Sequence, residues 1–215
     1  MKIVWLGHSS FKVILDSGKV IVFDPYDDTY GYKPQPLTAD FVLCSHDHHD
    51  HNCVSNITGD FTLINQPGEY TFDGIKIMGY ETFHDKSGGK ERGLNTVFKL
   101  SAEGLALLHL GDLGEVPKDA FLKSLGKVDI LFLPVGGFFT IDAAEALSVI
   151  DGISPNIIIP MHYLTEAVNL RLDPLSKFLE TIDGNYDYAV LGKNTFSTHA
   201  GDLKKRSRVI IMEYT

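Results

Sequence analysis

Apolar residues recur in short runs along the first half of the chain, at Lys2–Leu6, Phe11–Leu15, Val20–Phe23, Phe41–Cys44, Phe61–Ile64 and Ile75–Met78. Runs this short, bounded by Gly, Asp, Pro and Asn, predict strands. Asp16-Ser17-Gly18-Lys19 predicts the hairpin turn between the second and third. After Gly93 two more strands are expected, Thr96–Leu100 and Leu105–Leu110, and then the pattern alternates. Pro117–Leu125, Asp142–Ile150 and Pro174–Ile182 read as helices, Asp129–Pro134 and Asn156–Pro160 as buried strands, and Tyr188–Leu191 and Val209–Met212 as closing strands. Asp142 and Glu145 have the spacing of a capping box. Asp173 is expected to cap the last helix, with Pro174 at its first position. Many strands, with helices arriving late, predict two packed sheets with helices on their outer faces, an α/β sandwich.

Composition narrows the class. With 215 residues, 44% apolar and 22% charged, the chain can bury one substantial core, and residues 1–215 are expected to form a single domain. A net charge of -9 argues against binding to phosphate backbones, so no nucleic-acid partner is expected. The dense basic run Lys204-Lys205-Arg206 reads as a solvated turn between strands. Neither an export signal nor an apolar stretch of membrane-spanning length is visible, and two cysteines exclude a disulfide scaffold. A cytoplasmic protein without a membrane span is expected, and a homo-oligomer is left open.

One segment does not fit a core or an ordinary surface. His46-Asp47-His48-His49-Asp50-His51 follows the strand Phe41–Cys44 directly and holds four of the nine histidines. In extended chain, residues two apart face the same way, so His46 and His48 can present imidazoles to one point, and the turn at Asp50-His51 offers a second set. Imidazole nitrogen with carboxylate oxygen suits zinc, and also iron or manganese.

The pattern His46-x-His48-x-Asp50-His51 resembles the signature of the metallo-β-lactamase superfamily, and the resemblance extends over nearly the whole chain. It implies a four-layer αββα sandwich and two adjacent divalent ions, zinc first, with manganese or iron as alternatives. By that resemblance His46, His48 and His84 would hold one ion, Asp50, His51 and His162 the other, and Asp112 would bridge them. Asp50 would also orient the attacking water or accept its proton. Asp24 matches a bracing aspartate of the family, although a turn aspartate ending a strand fits the local sequence as well. Gly7-His8-Ser9 and Glu91-Arg92-Gly93-Leu94-Asn95 resemble a branch that includes ascorbate-phosphate lactonases. His8 is thus either a site residue or a hydrogen-bonded hairpin histidine. Arg92 or Asn95 would meet an anionic or carbonyl group unless that stretch is a solvated loop. His109 either braces Asp112 or is satisfied by backbone. Gly136-Gly137-Phe138-Phe139, Tyr163 and Tyr26 are candidates for an apolar wall or for packing, and Cys44 for the core.

The activity implied is hydrolysis of a small ester-like, lactone or phosphodiester substrate by a metal-bound hydroxide. Two alternatives stand beside it: an iron-dependent oxidoreductase or dioxygenase on the same fold, and a non-catalytic metal-binding protein. The diiron flavoprotein branch carries Glu where this chain has His48, and no flavin domain is expected after Thr215.

Overall fold

The computed structural model describes residues 1–204 and 206–214. Its chain runs β1 Lys2–Gly7, β2 Ser10–Ile14, β3 Val20–Phe23, β4 Leu37–Thr38, β5 Phe41–Leu43, β6 Ile57–Thr58, β7 Thr62–Ile64, β8 Gly68–Phe72, β9 Ile75–Phe83, β10 Leu94–Ala102 and β11 Leu105–His109. It continues with α1 Asp119–Ser124, β12 Ile130–Pro134, α2 Ala143–Ile153, β13 Ile157–Met161, α3 Leu175–Ile182, β14 Asp187–Val190, β15 Thr195–Ser197 and β16 Arg208–Ile211. Two sheets result, ordered β15-β1-β2-β3-β5-β7 and β14-β16-β13-β12-β11-β10-β9-β8, with β4 and β6 paired separately.

The apolar inner faces of these sheets meet in one continuous core that joins Trp5, Phe11 and Phe23 to Phe98, Leu108 and Phe132. The rings of Phe11 and Phe132 stack across the interface. Strands β12 and β13 are buried along their whole length, as parallel strands covered on both faces must be. On the outer side, Phe121 of α1 packs against Tyr80 of β9, and α2 lies between α1 and α3. The opposite outer layer is thin. Val22 and Val42 point away from the core and are covered by Leu37, Val54, Ile57 and Phe61, around a single 3₁₀ turn at Val54–Asn56. This is the αββα order expected, with its fourth layer reduced to loop and turn.

Strand direction decides where the chemistry can sit. Strand β1 is antiparallel to β2, β2 to β3, and β3 is parallel to β5. In the other sheet β9 and β11 are both antiparallel to β10, and β11, β12 and β13 are parallel. The C-terminal ends of β1, β3 and β5 therefore share one edge of their sheet, and those of β9, β11 and β13 share one edge of theirs.

The hairpin at Asp16–Lys19 forms, closed by Leu15 N–H to Lys19 O at 2.9 Å. At α2, Asp142 accepts from the N–H groups of Ala144 and Glu145, and Glu145 accepts from Asp142 N–H, all at 3.0 Å. Asp142→Ala is therefore expected to cost about 1 kcal/mol, read as a lower urea midpoint at unchanged slope. The cap expected at Asp173 is corrected: Pro174 itself is the N-cap, no side chain caps the helix, and Asp173 pairs with Lys177 at 2.7 Å. Lys204 and Arg206 precede β16, while Lys205 of the same basic run lies outside the described residues. No described helix is long and apolar enough to cross a membrane.

Candidate metal centre

Each candidate ligand, like His8 and Asp24, stands just past a strand end. His8 follows β1, Asp24 follows β3, His46–His51 follow β5, His84 follows β9, Asp112 follows β11 and His162 follows β13. Because those six strands point the same way within their sheets, both sheets deliver polar side chains to one edge. Ligand-capable atoms of His46, His48 and His84 lie within 4.8 Å of one another, as do those of His8, Asp50, His51 and His162, and those of His46, His51 and Asp112. Asp112 joins the groups: its carboxylate is 3.3 Å from His51 Nε2, 3.4 Å from His84 Nε2 and 3.2 Å from His162 Nε2.

A buried carboxylate orients this cluster from behind. Asp24, 1% exposed, accepts from Ser45 N–H at 2.7 Å, from Ser45 Oγ at 2.8 Å and from His51 Nδ1 at 2.8 Å. Since Ser45 Oγ donates to Asp24, it accepts from His46 Nδ1 at 2.8 Å. Both rings are thereby fixed as Nδ1–H tautomers with the Nε2 lone pair turned to the centre. Asn95, fully buried, accepts from Asp112 N–H at 3.0 Å and donates to Leu110 O and Thr82 Oγ. Gly111 lies between, at φ +55°, where a Cβ would stand 2.3 Å from Asn95 Oδ1; no larger residue fits.

The donors left over fit a cation. His46 Nε2, His51 Nε2 and Asp112 Oδ1 are buried without a hydrogen-bond partner, an arrangement polar atoms avoid unless something else satisfies them. Burial, reinforced by His162, lowers the His8 pKa to about 4, and burial likewise lowers His46 and His84. They are neutral near pH 7, the form in which imidazole binds metal. At His51 burial is outweighed by the carboxylates of Asp112, Asp24 and Asp50, which raise its pKa well above the usual value. Those carboxylates call for positive charge at this point. Backbone strain gathers here as well: His8, Asp24 and His162 all take left-handed φ, at 52°, 43° and 53°.

Residues 2–162 match the family model described as the β-lactamase superfamily domain. The chain belongs to the metallo-β-lactamase superfamily. It groups there with metal-dependent hydrolases: a UPF0173 metal-dependent hydrolase of Carboxydothermus hydrogenoformans is 32% identical over 194 residues, 77% of this chain and 85% of the relative. A Thermotoga maritima protein assigned as a Zn-dependent hydrolase of the superfamily is 39% identical in its crystal structure, with TM-score 0.80 over 99% of this chain and 98% of that one. Igni18, a metallo hydrolase of Ignicoccus hospitalis, shares the fold at TM-score 0.69 and 23% identity, over 99% of this chain and 94% of its own.

Around the centre of this superfamily member, a pocket of about 380 Å³ is lined by His48, Asp50, His84, Asp112 and His162, and also by Tyr30, Asp47, His49, Arg92, Phe139 and Leu170. His8 reaches it from beneath, its Nε2 3.2 Å from Asp50 Oδ2 and its ring 4.2 Å from that of His162. The remaining candidates fall into place around it. Asn95 is enclosed and spends its hydrogen bonds on the protein. Tyr163 packs against Trp5 in the core, and Tyr26 lines a separate cavity of about 560 Å³. His109 binds Ser9 O at 2.8 Å and accepts from Gly111 N–H at 3.0 Å, so backbone satisfies it. Of the Gly136–Phe139 stretch, Phe139 alone lines the pocket, and Cys44 lies in the outer apolar layer.

Sequence reasoning missed Asp85. Its carboxylate accepts the backbone N–H groups of Ser87, Gly89, Glu91 and Arg92 at 2.7–2.9 Å and so ties down the loop that follows His84. An Asp opening a Lys-Ser-Gly-Gly turn after a strand is the available signal. Desolvation raises its pKa, but the four donors outweigh it and hold Asp85 at about 2. A depressed carboxylate pKa stabilises the loop above the ordinary Asp value of about 4, and the effect is lost as pH falls through about 2. Hydrogen exchange measured at descending pH, after correction for intrinsic rates, should show protection at these four amides falling within that window; unchanged protection factors would count against the anchor.

Proposed function

We propose that this single-domain protein is a cytoplasmic hydrolase with two divalent ions, zinc first, acting on a small ester-like, lactone or phosphodiester substrate. The observation carrying this reading is the position of Asp112, within 3.4 Å of imidazoles from both ligand groups. His46, His48 and His84 would hold one ion and Asp50, His51 and His162 the other, with Asp112 shared. Such a pair supplies Lewis acidity and lowers the pKa of water toward about 7.

The side chains supply the remainder. Asp50 accepts from His8 Nε2 on one oxygen, which fixes the plane of its carboxylate and leaves it placed to take a proton from attacking water. His8 acts through Asp50 as a positioning residue. Asp24 and Ser45 keep the rings of His51 and His46 from rotating, and Asn95 holds the backbone of Asp112 in place.

Untagged protein should carry stoichiometric metal, hydrolyse members of a broad ester, lactone and phosphodiester panel, and lose that turnover with a chelator. Protein purified without metal, or with metal content unchanged by His48→Ala, would overturn the reading. Oxygen uptake by iron-loaded protein, without hydrolysis, would move it to the oxidoreductases.

A further inference from the structure

Arg92 and Phe139 line the pocket, and Arg171 stands over the neighbouring Phe138. The Arg92 guanidinium carbon lies 5.4 Å from the ring centroid of Phe139, and that of Arg171 lies 4.6 Å from Phe138. The two rings meet edge to face at 4.7 Å. Among the described residues, no carboxylate oxygen comes within 4.0 Å of either guanidinium, although the chain has 28 acidic residues against 19 basic ones. Asp47 and Glu81 line the groove beside Arg92 without pairing with it.

The protein builds this rim at a cost. Phe138 holds a left-handed φ of 57°, a conformation that a bulky residue adopts only under constraint, and is 53% exposed. Arg92 is half-buried and its backbone N–H is fixed by Asp85 at 2.8 Å, so its guanidinium is presented from an anchored loop. Stacking on an aromatic face leaves the edge donors of a guanidinium free to bind an anion in bidentate fashion.

We infer that Arg92 and Arg171 form an anion-binding rim, so that the substrate carries a phosphate or carboxylate group away from the bond that is cleaved. This rests on the hydrolase reading above for the reaction, while the rim itself is a binding claim.

Phenylphosphonate titrated into the protein as purified should bind, and Arg92→Gln should weaken that binding about ten- to a hundredfold. Arg171, more exposed, should contribute about threefold, and Arg92→Lys should restore part of the loss. Metal content, measured in parallel, should not follow these changes. In turnover, the preference for 4-nitrophenyl hemisuccinate over 4-nitrophenyl butyrate should fall by a similar factor in Arg92→Gln. Equal phosphonate affinity in wild type and the Arg92→Gln, Arg171→Gln double variant would overturn the rim. If no member of the wider ester, lactone and phosphodiester panel is cleaved, the hydrolase reading fails and the phosphonate titration still decides the rim.

Discussion

Asp112→Asn is expected to lower bound metal at both halves of the centre and to reduce kcat/KM about a thousandfold, the loss of several kcal/mol of charge stabilisation. The substitution keeps the volume and removes the charge. Asp112 is 2% exposed and lies within 3.4 Å of three imidazole nitrogens drawn from β5, β9 and β13 loops, so no neighbouring carboxylate can stand in for it at all three. Its carboxyl is held well below the ordinary range because, against burial, His162 and His51 favour the anion. Inductively coupled plasma mass spectrometry with steady-state kinetics reads both effects. Retention of two ions per chain with full turnover would remove Asp112 from the centre.

Asp24→Ala should act differently, on the frame instead of on a ligand. It leaves Ser45 N–H and His51 Nδ1–H buried without an acceptor, and each such group costs about 1–3 kcal/mol. It also frees the His51 ring to turn. Metal affinity should fall about ten- to a hundredfold, the usual cost of losing a partner behind a ligand, and the urea midpoint should fall with it. Asp24→Asn retains one acceptor oxygen and should recover part of the stability. A variant that binds metal with wild-type affinity would show that His51 needs no brace.

Legibility in the sequence followed the kind of force involved. The buried strands were readable because β12 and β13 are apolar throughout and turn residues bound them. Strands β8 and β15 were not: Gly68–Phe72 and Thr195–Ser197 are edge strands with polar, half-exposed residues, and pairing alone makes them strands. Pairing also carried β9 and β10 beyond their expected ends, through Glu81, Thr82 and Asn95. At the site, His46–His51 stood out because the residues are contiguous, and the positions of His84, Asp112 and His162 followed from the family resemblance. Asp85 and Arg171 gave little sign of their places, since those depend on loop hydrogen bonds and on a ring packed from another segment.

The left-handed backbone of His8, Asp24 and His162 bears on any attempt to improve this protein. A non-glycine residue in that conformation costs about 1–2 kcal/mol, so glycine at each of the three would relieve strain while deleting a side chain from the pocket or its frame. At Asp24 the buried donors left without an acceptor outweigh that relief. At His8 and His162, whose Nδ1 atoms have no partner to lose, libraries sorted only for heat resistance should favour glycine and lose the centre, and selection must therefore score metal retention alongside melting temperature.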